Sequence, residues 1–271
     1  MSEAHPLVLV ATGAATGLVG ALLGLGGGVF LVPLLTLALG VPIRVAIAAS
    51  LISVISTAVA SASVNLDRGL VNMRLGLILE VATAAGALGG GLVAGYLTQR
   101  QLYLTFAATM AVMGLVMAGR SGRRNVIADP AVDVGRLGGR IREGVSTYAY
   151  RVRRLPVGVI ASLVAGAISG LLGLGGGIVK VPVLNTFCGI PIRVAAATSI
   201  FMIGVTASAS AFLYYARGEV VLPITAAVAL GALPGSLVGA RLSDRVATRS
   251  LKVLMAVVLV GVGARMAMEG R

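Results

Sequence analysis

A lysine interrupts an otherwise apolar segment directly after a cluster of glycines. The stretch GLLGLGGGIVKVP covers residues 170–182 and places Lys180 three residues after Gly177. A charged side chain in an apolar membrane segment costs about 2.5–3.5 kcal/mol on insertion scales, so it usually faces a cavity or a partner. The alternative is that its long side chain reaches a nearby membrane interface. We interpret Lys180 as a buried cation that helps to bind an anion.

The same glycine cluster occurs twice. GLGGG fills residues 24–28 and 173–177, and a short apolar run with a proline follows each copy. This pattern predicts a broken helix, which survives at membrane depth only where protein or a cavity surrounds it. The free N–H groups and positive dipole end of the following helix favour an anion. The predicted ligands are Gly24, Gly26, Gly27, Gly28, Gly173, Gly175, Gly176 and Gly177.

Hydroxyl side chains follow each glycine cluster on the next predicted helix. Ser50 and Thr57 in the first half, and Ser199 and Thr206 in the second, are predicted substrate ligands because a hydroxyl binds an anion without burying a charge. Hydrogen bonding between helices is the alternative. Further polar candidates are Ser53, Ser56, Ser61, Asn65, Thr198, Ser208 and Ser210, with Asn185 as a weaker one.

Other chemistries lack the residues that they need. The glycines match neither a Walker loop nor a GxGxxG dinucleotide motif. One cysteine, Cys188, and one histidine, His5, exclude an internal disulfide, a multi-cysteine metal site and triads that need an internal histidine. Glu80 either carries a coupling proton or lies near the membrane interface, and the second interpretation is preferred. We predict no catalytic residue, no cofactor and no metal, and therefore no enzyme.

The composition is that of a membrane protein. Of the 271 residues, 58% are hydrophobic and 11% are charged, whereas soluble domains carry roughly 25% charged residues. The net charge of +13 comes from basic residues between apolar runs, which is the positive-inside pattern rather than a nucleic-acid surface. Residues 7–23 are predicted to be a retained membrane segment, because no basic region precedes them.

The chain contains an internal repeat. Residues 17–114 align without gaps with 166–263, at an offset of 149. We predict a first membrane repeat at 1–119, a basic cytoplasmic linker at 120–154, and a second repeat at 155–271. The apolar runs are about 7–23, 28–40, 45–64, 75–97 and 101–119 in the first half, and about 155–172, 177–189, 194–215, 220–241 and 250–268 in the second.

The second run of each half is too short to span a bilayer. Thirteen residues rise only about 20 Å as a helix, against a hydrocarbon core of roughly 30 Å. Each half is therefore predicted to be an all-α unit of one broken, re-entrant hairpin and three transmembrane helices. The two halves would be inverted, with the turns before Arg44 and Arg193 on opposite faces. This arrangement places 16 Lys and Arg inside and five outside, whereas parallel halves give 14 and seven.

The chain resembles the TauE/SafE-like sulfite exporter family, also called the toluene sulfonate uptake permease family. The resemblance rests on two copies of GLGGGxxxVP, each followed by GxPIRVAxxxS, and covers nearly the whole chain outside the linker. It implies a multi-pass transporter of the bacterial inner membrane for small sulfur-containing anions such as sulfite or organosulfonates. No motif distinguishes these substrates.

The predicted function is secondary transport of such an anion by alternating access between the two hairpins. Paired glycine-broken segments are the best sequence indication of a transporter site. The partners are a small anion, a coupling proton or sodium ion, and membrane lipid, but no nucleic acid. The linker is interpreted as a connector that fixes the topology, and contact with anionic lipid headgroups is the alternative. The alternatives are a carrier of another small organic or inorganic anion, a channel, and a membrane scaffold. The oligomeric state is left open.

Overall fold

The computed structural model describes residues 6–118, 134–143, 146–243, 261, 264–266 and 268. Six helices in this part are long and apolar enough to cross a membrane, which confirms the prediction of an all-α polytopic membrane protein. The predicted last run at 250–268 lies largely outside the described residues. The helices are α1 Pro6–Leu23, α2 Gly28–Pro33, α3 Ile43–Asp67, α4 Met73–Tyr96, α5 Gln99–Ala118, α6 Leu155–Leu172, α7 Gly177–Thr186, α8 Ile192–Ala216 and α9 Leu222–Leu242.

The chain turns back on itself at each glycine cluster. Gly26 and Gly27 adopt positive φ angles of 83° and 81°, which side chains with a Cβ rarely tolerate. A Cβ on Gly27 would lie 2.9 Å from the carbonyl oxygen of Thr16, so the chain has returned about two turns along α1. Gly176 has the same relation to Ala165 in the second half. Each cluster therefore closes a hairpin.

The returning helix of the first half is irregular. After Pro33, α2 continues as a π-helical turn, Leu34–Ala38, before the chain leaves the hairpin. Proline has no N–H to donate to the preceding turn, and a local change in helical hydrogen bonding accommodates that loss. In the second half α7 runs through Pro182 as a regular α-helix of 10 residues.

The predicted linker contains a small β-hairpin that the sequence did not indicate. Strands β1, Gly139–Glu143, and β2, Ser146–Tyr150, pair in an antiparallel ladder. Asn72 joins this hairpin to the membrane helices: its Oδ1 accepts from Leu75 N as the N-cap of α4, and its Nδ2 donates to Tyr150 Oη at 3.1 Å. Burial raises the pKa of the Tyr150 phenol. The linker therefore packs at the end where α4 begins.

Helices of the two halves exchange partners. Along α4, Gly86 and Gly90 lie directly against the backbone carbonyls of Leu163 and Ala167 on α6, so that α4 and α6 run side by side in the same direction. A Cβ at either glycine would overlap the facing carbonyl oxygen. Small residues that let helix backbones approach are the usual way to pack helices in a membrane.

The equivalent glycines make the equivalent contacts between α9 and α1. Gly235 lies against the carbonyl of Ala14, and Gly239 lies against that of Leu18. Gly235 and Gly239 follow Gly86 and Gly90 by the repeat offset of 149. The facing residues, Ala14 and Leu18, precede Leu163 and Ala167 by the same offset. Both glycine groups, 86–91 and 231–239, therefore let helix backbones pack closely.

Each end of α3 lies near the opposite end of α8. Arg44 Nη1, in the first turn of α3, forms an ion pair of 2.7 Å with Glu219 Oε1, just beyond the end of α8. At the other end, Asn72 N donates to Thr198 Oγ1 near the start of α8, at 3.0 Å. The start of α3 therefore lies beside the end of α8, and the turn after α3 lies near the start of α8.

We expect Gly90→Ala to destabilise the protein by about 1–3 kcal/mol, because the added methyl group must push α4 away from the Ala167 carbonyl. Thermal unfolding in detergent measures the effect. Gly89→Ala is the matched control, since nothing lies within 4 Å of a Cβ there and alanine favours a helix over glycine. Equal melting temperatures for the two variants would contradict the packing described.

Candidate functional site

The two hairpins meet at their glycine breaks. A Cβ on Gly28 would overlap the carbonyl oxygen of Gly173, and one on Gly177 would lie 3.0 Å from the carbonyl oxygen of Gly24. The side chains of Val54 and Ile203 are the nearest neighbours of both Gly26 and Gly175. The structure therefore brings the eight predicted glycines together at one place between α3 and α8.

The helices that leave the breaks have open first turns. Gly176 is the N-cap of α7 and Gly27 that of α2, and neither helix start is capped by a side chain. The first N–H groups of a helix have no partner within the helix, so they remain available to a ligand. In α7 these groups lie beside a basic side chain.

Lys180 is buried at the start of α7. Its side chain is 1% exposed, and its Nζ has no hydrogen-bond partner among the described residues. Its Cε lies 3.4 Å from the place that a Cβ on Gly176 would occupy. The side chain therefore points back toward the helix start, as helical side chains generally do. It does not reach the surface, which excludes the interfacial alternative.

Glu80 faces Lys180 from α4. Its Oε1 accepts a hydrogen bond of 2.7 Å from Thr206 Oγ1, whereas its Oε2 has no partner in the described part of the chain. The two opposite charges attract each other, although no ion pair within 4.0 Å joins them. Glu80 is 7% exposed. A contact from the other half therefore holds Glu80 inside the protein, and its position relative to the membrane interface stays a prediction.

The hydroxyl ligands differ between the two halves. Ser50 Oγ donates to the Gly173 carbonyl at 2.8 Å, and Thr57 Oγ1 donates to the Gly26 carbonyl at 2.9 Å. Ser199 is equivalent to Ser50 in the repeat, yet its buried Oγ has no partner among the described residues. Thr206 is equivalent to Thr57, yet it donates to Glu80. The first-half hydroxyls therefore hold the breaks in shape, whereas neither second-half hydroxyl donates to a carbonyl of the breaks in the described structure.

Two further hydroxyls were missed by the sequence reasoning. Ser162 and Ser169 on α6 are buried, and neither has a hydrogen-bond partner in the described residues. They stand where the first half has Gly13 and Gly20. A position-by-position comparison of the repeats would have found them, because polar side chains replace glycine only in the second half. The second hairpin therefore has buried hydroxyl groups beside it at positions where the first hairpin has glycine.

The remaining polar candidates have structural roles or lie elsewhere. Thr198 accepts from the backbone of Asn72, and Asn185 Nδ2 donates to the Ile190 carbonyl at 2.8 Å to close the turn after α7. Ser208 is exposed and donates to Gly204 within its own helix. Ser53, Ser61, Asn65 and Ser210 are buried, whereas Ser56 is only partly so.

The arrangement can hold a small anion. A buried ammonium group and open helical N–H groups supply positive potential, and the buried hydroxyls of Ser199 and Ser169 are further hydrogen-bond donors without a partner among the described residues. No group of three or more potential metal ligands occurs among the residues that the structure describes.

Comparison with known proteins agrees with this architecture. Residues 9–266 match a family described as Sulfite exporter TauE/SafE. The chain is 28% identical to the probable membrane transporter protein YunE of Bacillus subtilis, over 97% of this chain and 98% of that protein. It is 23% identical to a probable membrane transporter protein of Methanocaldococcus jannaschii, over 93% and 91% of the two chains. No solved structure matches the chain.

We expect the double variant Glu80→Ala/Lys180→Leu to raise the stability of the ligand-free protein by about 1–4 kcal/mol, because it replaces two buried charges with apolar groups. Alanine and leucine are the residues that the repeat carries at the equivalent positions, Ala229 for Glu80 and Leu31 for Lys180. Lys180→Leu alone should lower the melting temperature, since it leaves the Glu80 carboxylate without its opposite charge. A double variant less stable than the single one would contradict this account.

Proposed function

The chain belongs to the sulfite exporter TauE/SafE family, and we propose that it carries small sulfur-containing anions, sulfite or organosulfonates, across the membrane as a secondary transporter. It is a multi-pass membrane protein of a transporter family and not an enzyme. The similar proteins described above are named as probable membrane transporters. The substrate class and the mechanism are our inference.

One observation carries the proposal: a buried, unpartnered lysine at the start of an uncapped helix, between two helix breaks. Lys180 would balance the charge of the substrate, and the N–H groups of Gly177 and its neighbours would donate to its oxygens. Ser199, and Thr206 if it turns from Glu80, would add hydroxyl donors. Ser50 and Thr57 would hold the breaks in shape rather than touch the substrate.

We also propose that the two halves are inverted repeats that move against each other in alternating access. The contacts of Arg44 with Glu219 and of Asn72 with Thr198 support this, since they place opposite ends of the equivalent helices α3 and α8 on the same face. The proposed binding region of the two halves lies between the hairpins, where transporters built from inverted repeats typically bind substrate. The repeats at 1–119 and 155–271 would be the moving units.

The linker 120–154 would lie in the cytoplasm of a bacterial cell, with the protein in the inner membrane. The linker carries nine arginines, and basic segments near helix ends are retained inside. Its described part packs at the end of the molecule where α4 begins, through Asn72 and Tyr150. The arginines there could also contact anionic lipid headgroups.

A thermal-shift screen of the purified protein tests the proposed function. Sulfite, thiosulfate and methanesulfonate should raise the melting temperature, because a ligand that binds only the folded protein stabilises it, and sulfate and carboxylates serve as comparisons. Lys180→Gln should weaken binding by about tenfold or more, the loss expected for one charge-assisted contact. The exposed Arg74→Gln is the matched control.

Stabilisation by carboxylates instead would indicate a carrier of another anion. A protein that no anion stabilises would fit a membrane scaffold and contradict the proposal. Saturating, gradient-dependent flux in vesicles would separate a carrier from a channel. Unchanged affinity in Lys180→Gln would remove Lys180 from the binding site.

Cysteine labelling tests the inverted arrangement. Asp67 and Ala216 are exposed, equivalent in the repeat, and last in α3 and α8. In a background with Cys188→Ala, we expect Asp67→Cys and Ala216→Cys to react with a membrane-impermeant maleimide from opposite sides of oriented vesicles. Reaction of both cysteines from the same side would exclude inverted repeats.

A further inference from the structure

Glu80 and Lys180 form a buried pair of opposite charges that the repeat does not reproduce. Lys180 has Leu31 as its counterpart in the first half, and Glu80 has Ala229 in the second. Both side chains are nearly inaccessible. A charge without a partner is costly in such surroundings, so the pair exists as a compensated unit. Its restriction to one side of a repeated scaffold indicates a function that the scaffold itself does not need.

The geometry leaves each charge open to a third group. Thr206 occupies one oxygen of Glu80, and the other oxygen has no partner in the described residues; the same is true of Lys180 Nζ. The charges interact without a direct ion pair. A structural salt bridge would use these groups on each other. Here both retain the capacity to bind a proton or an anion.

Charge balance relates the binding of an anion to the binding of a proton at this pair. In the pair as it stands, the ammonium and the carboxylate sum to zero. A monovalent anion beside Lys180 would bring the buried cluster to −1, and one proton from water on Glu80 restores zero. Given the proposed transport function, on which this step rests, we propose that binding of a monovalent anion at Lys180 is accompanied by uptake of one proton by Glu80.

No other charged side chain faces Glu80 from the elements packed around it in the described structure. Helix α6 carries no titratable residue, and those of α8 stand at its two ends, at Arg193, Tyr214 and Tyr215. Lys180 is the one charged residue of α7. On α4 itself, Arg74 is exposed in the first turn. With Lys180 present as the ammonium, Glu80 is the one proton acceptor among these described groups.

Calorimetry of the purified, full-length protein with methanesulfonate tests the coupling. This anion keeps one charge between about pH 5.5 and 8.5, whereas sulfite would itself titrate in that range. We expect Kd to rise about tenfold per pH unit where Glu80 is ionised in the free protein. Binding heats measured in buffers of different ionisation enthalpy should give about one proton taken up per anion.

Glu80→Gln is the decisive variant. Its amide oxygen can still accept from Thr206 and mimics the protonated acid, so we expect methanesulfonate to bind with a pH-independent Kd and without proton uptake. Asp67→Asn is the matched control, an exposed acid-to-amide change at the end of α3 that should behave as the wild type. Lys180→Met should abolish binding at every pH.

The outcomes separate the coupling from the transport function. A wild type that binds methanesulfonate without proton uptake, or a Glu80→Gln protein that keeps the wild-type pH dependence, would overturn the coupling while leaving an anion carrier. A wild type that binds neither methanesulfonate nor any anion of the thermal-shift screen would overturn the transport function and the coupling together. The coupling would be established if the wild type takes up one proton per anion and Glu80→Gln binds the anion with a pH-independent Kd.

Discussion

Backbone contact between two helix breaks is the constraint on which the rest of the structure depends. Polar backbone at membrane depth must be surrounded by protein, and here each break lies against the other, with Gly28 at the Gly173 carbonyl and Gly177 at that of Gly24. Such an approach leaves no room for side chains. The exchange of α1 and α6 between the halves, along glycine-lined contacts with α9 and α4, brings the breaks together.

On this nearly symmetric scaffold the chemistry is one-sided. In the first half the hydroxyls of Ser50 and Thr57 donate hydrogen bonds to carbonyls of the breaks. Around the second hairpin, Ser199, the two additional serines on α6, Lys180 and one carboxylate oxygen of Glu80 have no hydrogen-bond partner among the described residues. A repeat explains why two hairpins exist. The differences between its copies indicate where binding takes place.

The sequence predicts what depends on local pattern. Two GLGGG clusters before short apolar runs predicted the hairpins, and Lys180 stood out as a charge in an apolar run. The environment of Glu80 could not be predicted, because its partner Thr206 is 126 residues away and contacts it only through the packing of α4 against α8. The β-hairpin of the linker was missed for a related reason. Its strands are short, and it is anchored by tertiary contacts such as that of Tyr150 with Asn72.

The ion pair between Arg44 and Glu219 uses a carboxylate that the repeat does not reproduce, because the position equivalent to Glu219 is Leu70. A motion that separates α3 from α8 at the Arg44 end must pull these opposite charges apart. Dissolved salt screens partly exposed charges, so ionic strength at this face would shift the balance between conformations that keep this pair and conformations that break it.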